Sequence, residues 1–160
     1  MLLDDIPDDK VDQYYSGVEI HVIEIAALTR KLRDLGKLPD NTLENKIINL
    51  IRYTSQGPDS QRAYVDMEKE YDLENPSSDQ LPLSRIVDLI IHSYVLQASG
   101  DESKAFSHIL VTSDYTRFSG LYSIELKDFV AACLEASNAY PSSLRAVYDQ
   151  TAQKWIHTRS

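Results

Sequence analysis

Over the first hundred positions the apolar residues recur with a helical period. Ser16 and Glu19 stand at the spacing of a capping box, in which a hydroxyl and a carboxylate each satisfy a free backbone amide. Ile20, Ile23, Ala27, Leu28, Leu32 and Leu35 then share one apolar face up to Gly36, a residue suited to a left-handed stop. The pattern predicts a first helix that begins as early as Asp9 or Val11. Asn41 and Glu44 repeat the capping spacing, and Leu43, Ile47, Leu50 and Ile51 predict a second helix, ended by Gly57 and Pro58. A third and more polar helix is predicted over 59–71, with Tyr64, Met67 and Tyr71 on its inner face, followed by a loop at 75–78. Pro82 suits a first helical turn, and the stretch 83–96 is apolar nearly all round, as a helix central to the core would be.

Past Gly100 the pattern changes. Residues 106–112 and 121–126 are short runs rich in branched and aromatic side chains, and they predict a β-hairpin around an eight-residue loop, 113–120. Phe129, Val130, Cys133 and Leu134 mark a helix ending near Asn138. Leu144, Val147, Tyr148, Thr151 and Trp155 predict a last amphipathic helix after Pro141. The fold expected is α+β and mainly α: a bundle of five or six helices with one hairpin, about 106–126, packed on it in a single domain, 1–160. The acidic residues 1–12 read as a mobile N-terminal segment.

A chain of 160 residues with 42% hydrophobic and 26% charged residues, 5 Gly and 6 Pro is neither disordered nor of low complexity, and it is long enough to bury one core. The lone cysteine, Cys133, excludes an internal disulfide, and no long apolar run is present, so a cytoplasmic protein without a membrane span is expected. Sixteen Lys and Arg against 25 Asp and Glu give a net charge of -9, which disfavours nonspecific binding to nucleic acid. The acids cluster in 1–12 and 57–80, whereas the last eighteen residues carry Arg145, Lys154 and Arg159 against Asp149. This balance fits a surface that keeps a small protein in solution and, alternatively, a protein partner with a basic surface.

Within the near-apolar helix, Arg85, Asp88 and His92 fall on one narrow face, so Asp88 can pair with the guanidinium and orient the imidazole. A solvated strip with an internal ion pair would look the same. Arg85, six intervening residues and His92 resemble the arginine-to-histidine motif of the HEPN nuclease superfamily, small helical bundles of prokaryotic defence and toxin systems. Active members act on the RNA phosphodiester without a metal, usually across a dimer. The resemblance implies His92 as acid and base and Arg85 as phosphate ligand, with RNA as substrate and a homodimer compatible with the site.

His21 and Glu24 are spaced to supply two metal ligands, with Asp88 and His92 as a second pair, but Arg85 would set a positive group beside the ion, and neither metal nor cofactor is expected. Cys133 lies on an apolar stripe and reads as a small buried hydrophobe. His108, in a strand, and His157, near the end of the chain, have no partner identifiable from sequence. No nucleophile elbow, P-loop, dinucleotide fingerprint or C-x-x-C is present. In the loop 113–120, Asp114, Tyr115, Arg117 and Phe118 are of types enriched at binding hot spots, although the aromatics would equally serve as plugs over the sheet edge. The function expected is that of a non-enzymatic acidic interaction or regulatory protein, an inhibitor or accessory subunit. The alternative is a HEPN-like metal-independent ribonuclease using Arg85, Asp88 and His92.

Overall fold

The computed structural model describes residues 10–57, 65–100 and 106–159. The long first helix α1 (Val11–Asp34) is followed by one helical turn, α2 (Thr42–Asn45), and then by strand β1 (Ile47–Thr54). A second single turn, α3 (Met67–Glu70), precedes β2 (Ser77–Pro82), α4 (Leu83–Ile91) and β3 (Ser93–Gly100). The hairpin β4 (Phe106–Ser113) and β5 (Gly120–Glu125) leads into α5 (Leu126–Ser137), and a separate hairpin, β6 (Leu144–Asp149) and β7 (Lys154–Arg159), closes the described chain.

The helical-bundle expectation is corrected. Five strands form one antiparallel sheet in the order β2-β1-β5-β4-β3, and α1, α4 and α5 cover one of its faces. The hairpin read at 106–126 is present, but as two inner strands of this sheet. The second predicted helix is overturned by β1, where Ile48 and Leu50 are buried and Ile47, Asn49 and Ile51 are exposed, so the true period is two. Its β-branched residues also favour a pleated strand over a helix. The core helix stops at Ile91, five residues early. Ser93–Gly100 passes instead to the sheet edge, with Val95, Leu96 and Ala98 set against β4. The predicted terminal helix is the β6–β7 hairpin. Of the helix predicted over 59–71 only α3 is seen, and 58–64 lie outside the described residues, as do 1–9 of the acidic segment.

Strands β2 and β3 are the two borders of the sheet, so α4 must cross its whole width to connect them. That crossing explains its composition. Leu83, Ser84, Ile86, Val87, Leu89 and Ile90 are all buried, and each large side chain taken out of water contributes about 1.5–3 kcal/mol relative to exposure. The carbonyl of Lys46 accepts the Leu83 N–H at 2.8 Å, which satisfies one of the free amides of the first turn. The core is completed by Ile109, Val111 and Ile124 from the sheet, Phe129 and Ala132 from α5, and Val22 and Ala26 from α1. On α1 the buried positions are therefore Val22, Ala26 and Thr29. The stripe read from the sequence lies mostly outside, with Ile20, Ile23, Leu28 and Leu35 exposed.

The Glu19 carboxylate accepts the Ala98 N–H of edge strand β3 at 3.0 Å. A register shift between Ser93 and Val95 inserts Tyr94 as an extra residue in the same strand.

Candidate functional site

The Arg85, Asp88 and His92 stripe opens into a cleft of about 230 Å³ between α4, α1 and the β4–β5 turn. Its walls are Arg30, Arg85, Asp88, Leu89, His92, Ser113, Tyr115 and Thr116. Of the loop residues singled out in the sequence, Tyr115 thus meets the stripe, whereas Asp114, Arg117 and Phe118 do not line the cleft. Leu89 and the buried face of α4 hold Asp88 and His92 toward solvent, and His92 caps the helix with its N–H donated to the Asp88 carbonyl at 3.0 Å.

Arg30, which the sequence reading missed, joins the cleft from α1. Its Nη1 donates to His92 Nε2 at 3.1 Å and lies 3.6 Å from Asp88 Oδ1. A guanidinium has no acceptor, so this contact requires His92 Nε2 to be unprotonated. The signal was available: Arg30 continues the line Val22, Ala26, Arg30, one residue every four along the face that packs on α4. Arg30 also lies 3.9 Å from Asp34. Arg30 and Arg85 are thus set among the carboxylates of Asp88 and Asp34, so the cleft is polar with its charges balanced.

The turn beside it is held from within. Thr116 Oγ1 accepts the Ser113 N–H at 3.0 Å and is 3.0 Å from both Thr112 Oγ1 and Ser113 Oγ. Thr112 Oγ1 donates to the Gly120 carbonyl at 2.9 Å, and the Ser113 carbonyl accepts the N–H groups of Thr116 and Arg117. On this rigid frame Tyr115 is 90% exposed and Phe118 58% exposed, and Asp114 points to solvent as well. Arg117 behaves differently. It is half-buried, with its guanidinium 4.6 Å from the Tyr94 ring centre and 4.8 Å from that of Phe118, so it braces Phe118 from below. The bulge at Tyr94 supplies the ring on which it rests.

Beneath the brace lies a buried polar pair, of which the sequence pattern places Tyr71, but not Glu70, on an inner face. Glu70 and Tyr71 are both buried, and among the described residues neither carboxylate oxygen of Glu70 has a hydrogen-bond partner. Burial, with the Glu70 carboxylate adding to it, pushes the Tyr71 phenol up from 10.0 to about 12. Arg117 lies near enough to act in the opposite direction. A wider cleft, about 580 Å³, occupies the uncovered face of the sheet and is lined by Asn49, Ile51, Gln80, His108, Ser123 and Glu125 among others. There Gln80 Nε2 donates to Asn49 Oδ1 at 2.8 Å, and Lys127 holds the Glu125 carboxyl below the usual range.

His21 and Glu24 form an exposed pair at 3.0 Å on α1, and among the described residues no cluster of three or more His, Cys, Asp or Glu could hold a metal ion. Cys133 is buried and its thiol is pushed up by desolvation. No helix among the described residues is long and apolar enough to cross a membrane. Searches among protein-family models, curated proteins and solved structures find no match to this chain, so its geometry alone carries the functional reading.

Proposed function

We propose that this protein works by contact, as an acidic interaction or regulatory protein of the cytoplasm, with the turn 113–120 as its partner-binding element. The observation that carries the reading is the exposed Tyr115 and Phe118 pair on a turn already fixed by internal hydrogen bonds. Large rings with few rotatable bonds, presented by a rigid frame, lose little entropy on docking, and that is what a binding hot spot requires. Asp114 and the overall charge of -9 favour a protein partner with a basic rim around an apolar pocket. The test is affinity capture from the source organism with wild type and with Tyr115→Ala/Phe118→Ala. A partner retained by the first, lost by the second and weakened by salt supports the proposal. Equal capture by both proteins defeats it.

A second reading, metal-independent cleavage of RNA, is favoured by the placement of Arg85 and His92 in one solvent-open cleft. It demands turnover of single-stranded RNA in the presence of a chelator, abolished by His92→Ala in a protein that remains folded. That result would replace the contact reading. The α+β sheet fold found here differs from the helical bundle that the arginine-to-histidine resemblance implies.

A further inference from the structure

The cleft of about 580 Å³ on the uncovered sheet face is large enough for a small ligand, and its floor can be read from the strand register. Ser78, Ile51, Ser123 and Leu110 stand opposite one another in turn on β2, β1, β5 and β4. Gln80, Asn49, Glu125 and His108 lie two residues away on the same strands, and therefore on the same face. Two rows of side chains thus run across four strands, one strand interval of about 4.8 Å apart within each row. Of these eight side chains only Ile51 and Leu110 are apolar.

The neutral polar groups keep hydrogen-bonding capacity to spare. Gln80 Nε2 donates to Asn49 Oδ1 at 2.8 Å, which orients the Gln80 carbonyl as a remaining acceptor and the Asn49 amide as a remaining donor. His108 Nδ1 is 2.8 Å from Ser107 Oγ, so Nε2 is the ring nitrogen left for a ligand. Ser123 is the decisive residue. It is 6% exposed, its place opposite Ile51 puts its side chain on the cleft floor, and among the described residues its hydroxyl has no hydrogen-bond partner. A hydroxyl set so deep is costly unless something in the cleft bonds to it.

The charges around the cleft are already engaged. Lys127 binds the Glu125 carboxylate and lies close to Asp128, which stands exposed in the first turn of α5. The Asp79 carboxylate accepts the Gln80 N–H at 2.8 Å, and its register opposite Leu50 assigns it to the other face of the sheet. No Lys or Arg among the described residues lines the cleft, so a phosphate or carboxylate would find no counter-charge.

We propose that this sheet face binds a neutral polyhydroxylated ligand, a saccharide, whose hydroxyls pair with Ser123, with the Asn49 and Gln80 amides and with His108 Nε2, while Ile51 meets the C–H face of the ring. A sugar hydroxyl donates and accepts at once, which suits a floor that offers both donors and acceptors and no free counter-charge. The site lies at the opposite end of β4 and β5 from the turn 113–120 and does not depend on the reading given to that turn.

The experiment titrates the isotope-labelled full chain, followed by NMR, with maltose, cellobiose, galactose and N-acetylglucosamine in turn, and with spermidine as a cationic probe. At least one sugar should shift the side-chain amide signals of Asn49 and Gln80 and the backbone amide of Ser123 to saturation, with Tyr115 unmoved. Gln80→Leu, at an exposed position, should weaken that sugar about tenfold, the scale of one hydrogen bond. Ser123→Ala should weaken it by a similar factor and, because no internal bond is lost, should unfold at no lower urea concentration than wild type. Failure of every sugar to saturate overturns the proposal, as does saturation by spermidine alone or a response confined to other residues. A sugar held equally by wild type and both variants defeats it too. A lower urea midpoint for Ser123→Ala would mean that the hydroxyl serves the fold, and the proposal falls on that result as well.

Discussion

Replacing Thr116 by Val isolates the hydrogen bonds that fix the proposed contact turn, because valine keeps the shape and branching and removes the hydroxyl. Three interactions go with it: the bond accepted from the Ser113 N–H and those shared with the Thr112 and Ser113 hydroxyls, each 3.0 Å long. Ser113 is buried, so its amide would be left without an acceptor and without water, which costs about 1–3 kcal/mol. Thr112 keeps its bond to the Gly120 carbonyl, so little is added on that side. The expected loss is about 2 kcal/mol. With a urea slope of about 1–3 kcal/mol/M for a small domain, the midpoint falls by about 1 M with no change in slope. Thr116→Ser, which retains the oxygen, should lie within about 1 kcal/mol of wild type. Tyr115→Ala, a change of an exposed side chain, should lie within about 0.5 kcal/mol. If Thr116→Val unfolds at the wild-type midpoint, the hydroxyl network does not hold the turn, and the argument from a pre-set contact surface fails with it.

Three further outcomes follow from the structure. A Cβ at Gly120 would stand 2.6 Å from the Tyr53 carbonyl, a backbone atom of the neighbouring strand, so Gly120→Ala should cost about 1–3 kcal/mol in urea unfolding; a neutral change would mean that β1 and β5 are not paired as described. Phe129→Ala empties the centre of the core and should cost about 3–5 kcal/mol, read from the same denaturation curves; a cost below 1 kcal/mol would place the ring outside the core. Tyr71 holds its proton to about pH 12 when folded and to about 10 when unfolded, so the unfolded chain releases the proton first. Its contribution is complete below pH 10 and is lost as pH rises toward 12. Tyr71→Phe should therefore flatten the alkaline limb of the stability profile, and an unaltered limb between pH 10 and 12 would refute the burial of the phenol.

The sequence was legible where one period ruled. The helices α1 and α5 and the β4–β5 pair were each marked by a repeat that no competing pattern matched. The segment 47–54 misled because Ile47 and Ile51 are apolar on the uncovered side of the sheet, so the alternation of Ile48 and Leu50 with their neighbours was hidden and the remaining spacing mimicked a helix. In 144–156 the separations of Leu144, Val147, Tyr148 and Trp155 suit a helix and a hairpin equally. Asp149 could have decided it, since its carboxylate accepts the N–H groups of Thr151 and Ala152 and so builds the turn. On α1 the more conspicuous stripe was the outward one, and small Ala26 and polar Thr29, which pack inside, gave a weaker mark. The site was half visible: Arg85, Asp88 and His92 share a helix, whereas Arg30 reaches them across 62 residues of chain, a distance that no local pattern encodes.

The Glu19 carboxylate bound to the Ala98 amide has a consequence for how the molecule can be joined to others. The amides of a border strand are a template on which foreign strands can polymerise. On β3 one such amide, that of Ala98, is taken by a carboxylate from α1, so an incoming strand would have to displace Glu19 to pair at that position. At the far border, β2 ends in Pro82, which offers no amide at that one position. Each border of the sheet therefore withholds at least one backbone amide from an added strand.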